Sequence, residues 1–370
     1  MTTEINRRAF VGQGLGATAA ATLSAWAGPA LDAKGDKPKQ TRVGVIGCGS
    51  VSHVYLPHLS NCPYVELVSA CDIKPERAER QARRFRIPHY YPHIDKMLAG
   101  AAFDLLVNLT DMQEHEHLNR QAIAAGKHIW SEKPIANSLQ AGQALLGEAK
   151  TRGVRIWGAP TVVNSPQFAC MAKILAGGSL GRVAAAHADY GHTGPDWSSF
   201  FYEKGGGSMP DLGVYNLTTL TGLLGPAKSV VALTSVVTPT RNIRGKGLVR
   251  VSEEDNAMVL LDHGKEKRHT ISIVGSTGLL GLVGYDWEPL DVDLATASAP
   301  NFKRQATDRG DYRWQQGASL VAECLVTGKE PLFTAEHALH VVEIICAARQ
   351  SQETGKRIDL KSSFKWPVVS

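Results

Sequence analysis

This chain predicts an α/β fold in two parts: an N-terminal, doubly wound parallel sheet, then a C-terminal α+β domain with a large, mostly antiparallel open sheet. Strand-like and helix-like stretches alternate through residues 41–158, the order that puts helices on both faces of a parallel sheet. From residue 159 onward, runs rich in β-branched residues follow one another across Gly and charged turns, which implies antiparallel pairing. The 370 residues suffice for two or three domains of about 150 each. Apolar residues at 43% and charged residues at 20% exclude a mostly disordered chain. A net charge of +5 over that length suggests no nucleic-acid partner. The six Cys show no paired ligand spacing, so neither a disulfide scaffold nor a zinc site is implied.

Residues 1–30 are set apart from the fold. Asn6, Arg7, Arg8, Ala9 and Phe10 match a twin-arginine export signal, and Ala25, Trp26 and Ala27 offer a small-x-small cleavage site after a Gly/Ala-rich run. A short uncleaved membrane anchor is the other reading, but Gly12, Gln13, Gly14 and Gly16 leave the run poorly apolar for a span of about 20 strongly hydrophobic residues. Residues 31–40 mix Lys34, Asp36, Lys37 and Lys39 with Gly35 and Pro38 and read as a flexible connector. No later segment is apolar for long enough to cross a bilayer. A mature protein that is periplasmic or otherwise exported, without stable membrane insertion, is expected.

Residues 42–46 read as a buried strand running into Gly47-Cys48-Gly49 and then a helix over 50–59, the order that a dinucleotide site requires. Gly47 permits the tight turn, Gly49 lets backbone approach a pyrophosphate, and the amides of Ser50 and Val51 would point at its oxygens from the helix N-terminus. Ser52 stands where Gly or Ala is usual. A plain turn explains such a motif equally well on its own. The next strand, Val65–Cys71, ends at Asp72, where a carboxylate would meet the adenosine ribose and favour NAD over NADP; Lys74 beside it keeps NADP open. Asp72 as the cap of the following helix, Pro75–Phe85, is the alternative.

A helix over 93–99 and a strand over 103–109 follow, then Thr110-Asp111, a helix over 113–125, and a strand over 127–131 ending in Glu132-Lys133-Pro134. In a parallel sheet these strand ends face one crevice, so Lys133 would bring an ammonium near the nicotinamide, with Pro134 restricting the backbone that aims it. A surface cation beside a turn is the other reading of Lys133. His115 and His117 are two apart and share no helix face, so no metal site is assigned; His115 alone remains a cofactor or substrate contact. Cys48 and Cys71 read as packing residues.

After a strand over 154–157 come a helix, Pro166–Ala176, a strand over 182–190, and further strands over 230–237, 257–261, 269–274 and 279–283. Between them, Gly205-Gly206-Gly207 leads into a helix that carries Asp211 and Tyr215 four residues apart, on one face. A carboxylate beside a phenol suits the handling of an alcohol proton when a cation stabilises the phenolate. A buried Tyr satisfied by Asp is the plainer alternative. His192, Asp196, Trp197, Tyr202 and Trp287 are loop residues with side chains suited to a sugar.

With these pieces in order, residues 41–360 resemble the Gfo/Idh/MocA oxidoreductase family, and within it exported members of the glucose-fructose oxidoreductase type. The features that carry the resemblance are the glycine loop Gly47 to Ser52, Thr110 with His115 five residues on, Ala125-Gly126-Lys127-His128, Glu132-Lys133-Pro134, the glycine-triplet helix with Asp211, and the ending from Gly328-Lys329-Glu330-Pro331 through Gly355-Lys356-Arg357. The resemblance implies a Rossmann domain over 41–158, a substrate-binding and oligomerisation domain over 159–370, and a homo-oligomer. It makes Lys133 the catalytic lysine and Asp211 a substrate or relay residue. NAD, with NADP possible, would lie against Gly47, Gly49, Ser50, Val51, Asp72, Thr110, His115, Glu132 and Lys133. Many members carry His four residues after that Asp; here Tyr215 becomes the acid/base. Where many relatives place Arg before a Pro, this chain has Ser165, which leaves that cofactor-side contact unassigned.

The expected reaction is hydride transfer between a sugar or sugar-derived alcohol and a tightly bound nicotinamide, because free NAD is not expected outside the cytoplasm. One rival is a glycosidase that oxidises a ring carbon transiently, eliminates the glycosidic substituent and takes the hydride back. Another is a protein that keeps the dinucleotide without catalysis.

Overall fold

The computed structural model describes residues 38–259, 269–305, 307–308 and 310–369. The twin-arginine segment and all but the end of the connector lie outside them. The first half runs β1 (Thr41–Ile46), α1 (Ser52–Asn61), β2 (Val65–Cys71), α2 (Pro75–Phe85), β3 (His89–Tyr91), α3 (Ile94–Ala99), β4 (Leu105–Asn108), α4 (His115–Ala124), β5 (His128–Ser131), α5 (Leu139–Thr151) and β6 (Ile156–Gly158). Its six strands are parallel and lie in the order β3-β2-β1-β4-β5-β6. Val43 and Val45 of β1 are completely buried, as a strand covered by helices on both faces requires. The order reverses between β1 and β4, so a crevice opens at the carboxyl ends of those strands, where an open α/β sheet takes its ligands.

Helix α1 starts at Ser52 rather than at Ser50, because residues 47–51 are used in the turn. Gly47 has φ +87°, and a Cβ there would stand 2.6 Å from the Leu109 carbonyl, so only glycine lets β1 turn this close to the end of β4. The sequence does not announce β3, three residues at the sheet edge, or α5, whose start is set by the Ser138 side chain accepting from the Ala141 amide. Cys48 and Cys71 are buried packing residues, burial first among the causes pushing each thiol up to about 12.

The second half runs α6 (Pro166–Ala176), β7 (Val183–Ala188), α7 (Val214–Leu224), β8 (Ser229–Val230), β9 (Ala232–Ser235), β10 (Thr240–Ile243), β11 (Gly247–Arg250), β12 (Asn256–Val259), β13 (Ile271–Gly275), β14 (Gly278–Tyr285), β15 (Glu288–Thr296), β16 (Ala299–Gln305), α8 (Gly317–Thr327), α9 (Ala335–Thr354) and β17 (Ile358–Asp359). Five strands form an antiparallel sheet in the order β16-β15-β14-β13-β7. The strand expected over 230–237 is two: β8 pairs with β17, and β9 pairs with β12. The expected strand over 257–261 is described only to residue 259.

The last helices return to the first half. Thr41 at the start of β1 donates its hydroxyl to the Ala322 carbonyl in α8 at 2.9 Å, and the Trp130 indole of β5 packs edge-on against Phe333 at 5.4 Å. Residues from both halves therefore share one hydrophobic core that runs from Val43 to Ala348. Among the described residues, no helix is long and apolar enough to cross a membrane.

Candidate active site

The glycine turn builds the floor of the crevice. Asp72 is buried and accepts from the Cys48 amide through Oδ2 at 2.8 Å and from the Lys74 amide through Oδ1 at 2.8 Å, so it ties the turn to the end of β2. It does not cap α2, whose cap residue is Lys74; each carboxylate oxygen keeps a lone pair for a ribose hydroxyl. Ser52, the unusual fingerprint residue, donates its hydroxyl to the Gly49 carbonyl at 2.6 Å and closes the turn from within.

A dinucleotide fits this cradle. Helix α1 has no side-chain cap and no acid in its first turn, so its N-terminal amides face the crevice without an internal anion. The crevice has a volume of about 900 Å³ and is lined by Lys74, Arg77, Arg244 and Lys246 as well as by Asp72, Asp95, Asp111, Glu114 and Glu203. Gly47, Gly49, Ser50, Val51, Asp72 and Thr110 also line it.

The second half roofs the crevice. Gln113 Nε2 donates to the Phe200 carbonyl at 2.8 Å, Lys246 bonds to Ser199 and Glu203, and Arg244 pairs with Asp196. Trp197 packs edge-on against Phe201 at 4.9 Å, and the Tyr202 hydroxyl donates to the Pro195 carbonyl at 2.7 Å. Asp196, Trp197 and Tyr202 thus belong to this roof.

A buried polar network sets the strand ends. Asn108 Nδ2 donates to Asn119, Asn119 Nδ2 donates to Ser131 Oγ, and Thr110 donates to Asn108 Oδ1, all at 2.7–2.9 Å. His115 belongs to this network rather than to the crevice wall: its ring is 1% exposed, with Nδ1 2.8 Å from the Pro134 carbonyl and Nε2 3.0 Å from the Thr110 carbonyl. Burial pushes its imidazole pKa down against the pull of the two carbonyls, and a neutral ring donates its one N–H to only one of them. Where a cofactor contact was expected, the ring faces the two protein carbonyls. Its neighbour His117 is exposed, 3.3 Å from Glu114.

Glu132 is buried and also faces inward. It accepts from the fully buried Tyr55 hydroxyl at 2.6 Å and from the Lys133 amide at 3.0 Å, which aims the lysine stem. The Lys133–Pro134 bond is cis. Lys133 Nζ donates to Asp211 twice, to the backbone carbonyl at 2.5 Å and to Oδ1 at 2.8 Å, and stands 5.3 Å from the centre of the Tyr215 ring. The structure therefore brings Lys133, Asp211 and Tyr215 together from the two halves.

Asp211 reaches this position because residues Met209–Gly213 wind as a π-helical turn before α7, a widening that frees a carbonyl from the helix ladder. Gly207 starts that turn at φ +110°, and a Cβ there would lie 2.5 Å from the Glu254 carboxylate. Glu254 accepts from the Met209 amide and pairs with Arg349 of α9 at 3.0 Å, so a long-range ion pair holds the loop that presents Asp211. Nothing local in the sequence announces Glu254 or Arg349.

Electrostatics fix the protonation states. Burial alone would discharge Lys133, but Asp211 first, then Tyr215 and Glu132, outweigh it and raise its pKa, so it stays an ammonium. Burial raises the Tyr215 pKa against the opposing pull of Lys133, so it stays a phenol at neutral pH. The arrangement is a proton donor beside a fixed cation.

Beside Tyr215, the turn between β14 and β15 carries the buried Asp286, to which Asn216 donates at 3.2 Å. Burial pushes its pKa up to about 6, from an ordinary 3.8, against the Thr219 and Asn216 side chains. The folded state then binds this proton more tightly than the unfolded chain, so stability falls as pH rises from 4 through 6. Asp286→Asn is expected to gain on the parent over that interval by up to ~3 kcal/mol. Denaturant melts at pH 4.5 and 7.5 check this; an equal difference at both pH values rules it out.

Comparison with known proteins follows the same division. A family model described as "Oxidoreductase family, NAD-binding Rossmann fold" matches residues 41–159, and one described as "GFO/IDH/MocA C-terminal domain" matches residues 168–278. The chain is 25% identical over 339 residues to the mouse (Mus musculus) trans-1,2-dihydrobenzene-1,2-diol dehydrogenase, covering 84% of this chain and 96% of that one. A levoglucosan dehydrogenase solved with NADH and levoglucosan shares the fold at a TM-score of 0.73 and 18% identity, over 87% of this chain and 99% of that one. The aldose-aldose oxidoreductase of Caulobacter crescentus, solved with glycerol, shares it at 0.72 and 19%, over 87% and 100%.

Proposed function

The chain belongs to the GFO/IDH/MocA oxidoreductase family, and from that premise we propose that it moves a hydride between a sugar or sugar-derived alcohol and a nicotinamide dinucleotide that it does not exchange. The observation that carries this reading is the Lys133 ammonium held between Asp211 and the Tyr215 ring at the carboxyl edge of the parallel sheet. The dinucleotide, NAD or NADP, supplies the site that accepts and returns hydride. Every other role falls to the chain. Tyr215, a phenol at rest, gives its proton to a carbonyl oxygen in reduction and takes it back from the hydroxyl in oxidation. Lys133 stabilises the negative charge that develops on that oxygen, and Asp211 holds the ammonium in place. Glu132, anchored by Tyr55, keeps the lysine stem directed at Asp211.

Non-exchange is supported by the roof of residues 196–204, which Gln113 ties to the first half across the crevice and which Arg244 and Lys246, in the turn between β10 and β11, brace from within the second half. The Arg7-Arg8 segment supports export, and a folded chain leaving by that route would carry its dinucleotide along. The relatives named dehydrogenases of a diol and of an anhydro-sugar support a polyol or sugar substrate. The test is to recover the protein from the periplasmic fraction, dialyse it, denature it and identify released dinucleotide by absorbance and mass. A stoichiometric nicotinamide dinucleotide is the expected result. An apoprotein that binds and loses cofactor on dialysis overturns non-exchange, and retention in the cytoplasm overturns export.

A further inference from the structure

The aromatic side chains beyond Tyr215 take no part in the proton chemistry above. Trp287 lies against the Tyr215 ring with centroids 4.7 Å apart, and Tyr285 stacks parallel to Trp287 at 4.9 Å and 2°. Tyr190 meets these two edge-on, at 5.6 Å from Tyr285 and 5.0 Å from Trp287. Exposure grows outward along the line, from 9% at Tyr215 to 42% at Tyr285. The strip is held by rigid elements: Tyr285 ends β14, Trp287 precedes β15, and Asp286 between them is bonded to Asn216 on the helix that carries Tyr215. A fixed aromatic surface that starts at a catalytic phenol and opens to solvent is built to be covered by a ligand.

We propose that this strip is an outer subsite for the second ring of a glycosidically linked substrate, so that the site takes a glycoside in preference to a free monosaccharide. The inference rests on the reading that Lys133 and Tyr215 act on a sugar hydroxyl. Tyr285, 42% exposed, lies two ring contacts out from Tyr215, with Trp287 between them. A pyranose presents a face of polarised C–H groups, which an aromatic quadrupole attracts, and an aryl group stacks on the same surface through its own ring. The shared chemistry is a flat ring face one glycosidic bond from the reacting carbon.

The test is calorimetric titration of the dinucleotide-loaded protein with glucose, galactose and mannose, with the disaccharides cellobiose, maltose, lactose and mannobiose, and with phenyl β-glucoside. At least one two-ring compound should bind about tenfold more tightly than its single-ring parent. Tyr285→Ala and Tyr285→Leu should erase most of that ratio, and Tyr285→Phe should keep it. A disaccharide preference assigns the outer ring to a sugar, and a preference for the phenyl glucoside assigns it to an aryl group. Equal affinities for one and two rings in the parent overturn the proposal, as do a preference that survives in Tyr285→Leu and an absence of two-ring binding. A change of oligomeric state in Tyr285→Leu by light scattering, with the ratio intact, overturns it in favour of a contact between copies. Binding is read without turnover, so a protein that binds two-ring ligands through Tyr285 but never oxidises them sinks the proposed reaction and leaves the subsite standing.

Discussion

Lys133→Met is expected to lower kcat by about 10²–10⁴-fold, the loss that follows removal of a fixed charge from the oxygen that becomes negative. The stem of methionine fills the same space, so the dinucleotide content of the protein should not change. The substitution also strands a carboxylate, because the Lys133 and Asp211 side chains are only 13% and 14% exposed. Breaking a buried pair from one side costs about 3–5 kcal/mol, and that loss must be separated from the loss of rate. The double variant Lys133→Met/Asp211→Asn does so: it removes both charges and is expected to recover most of the melting temperature while kcat stays low. If turnover returns together with stability in the double variant, the lysine is a structural cation and the proposed mechanism is wrong. Steady-state kinetics on each processed sugar, a thermal melt and a dinucleotide assay make the complete set of measurements.

Tyr215→Phe removes a single oxygen and is expected to cost about 10²–10⁴-fold in kcat with little change in KM. The ring stays between the Lys133 ammonium and Trp287, so whatever binding the ring supplies remains. The pH profile gives a second, independent readout. Burial raises the phenol pKa above its ordinary 10 despite the nearby ammonium, so in the reducing direction the proton donor persists to higher pH than free tyrosine would. The rate of reduction should hold through neutral pH and fall only above pH 10, and the Phe variant should lose that alkaline limb along with its rate. A Phe variant with parental kcat would move the proton transfer to Lys133.

Much of the first half was legible because its signals are local. The strand that ends at Gly47, the helix that follows, and the acid at Asp72 lie within one short βαβ unit, where backbone sterics and alternating burial leave little choice. Lys133 was legible for a related reason: residues just past the end of a parallel strand, here β5 ending at Ser131, must emerge at the carboxyl edge, whatever the rest of the chain does. His115 shows where local reasoning stops. Its place in the first turn of a helix at the crevice is as expected, but whether its ring faces ligand or protein depends on the carbonyls of Thr110 and Pro134, which only the packed strands bring to it.

The second half was less legible because its strands are short and pair across long separations. Residues 230–237 form a single β-rich run, yet β8 finds its partner near residue 358 and β9 finds its own near residue 257. The helices α8 and α9 carry no chemistry in their residue pattern, but one supports β1 and the other supplies Arg349 to the ion pair behind Asp211.

By itself the sequence determined the parallel nucleotide-binding half, its glycine turn and the residue types that handle a proton, because these follow from backbone geometry and from side chains near in the chain. Only the tertiary structure decided that Lys133 and Asp211 form one buried pair with Tyr215 beside them, that His115 faces inward, and that Tyr285 and Trp287 extend from the same site. Those facts join residues far apart in sequence, and burial and electrostatic coupling act through space rather than along the chain.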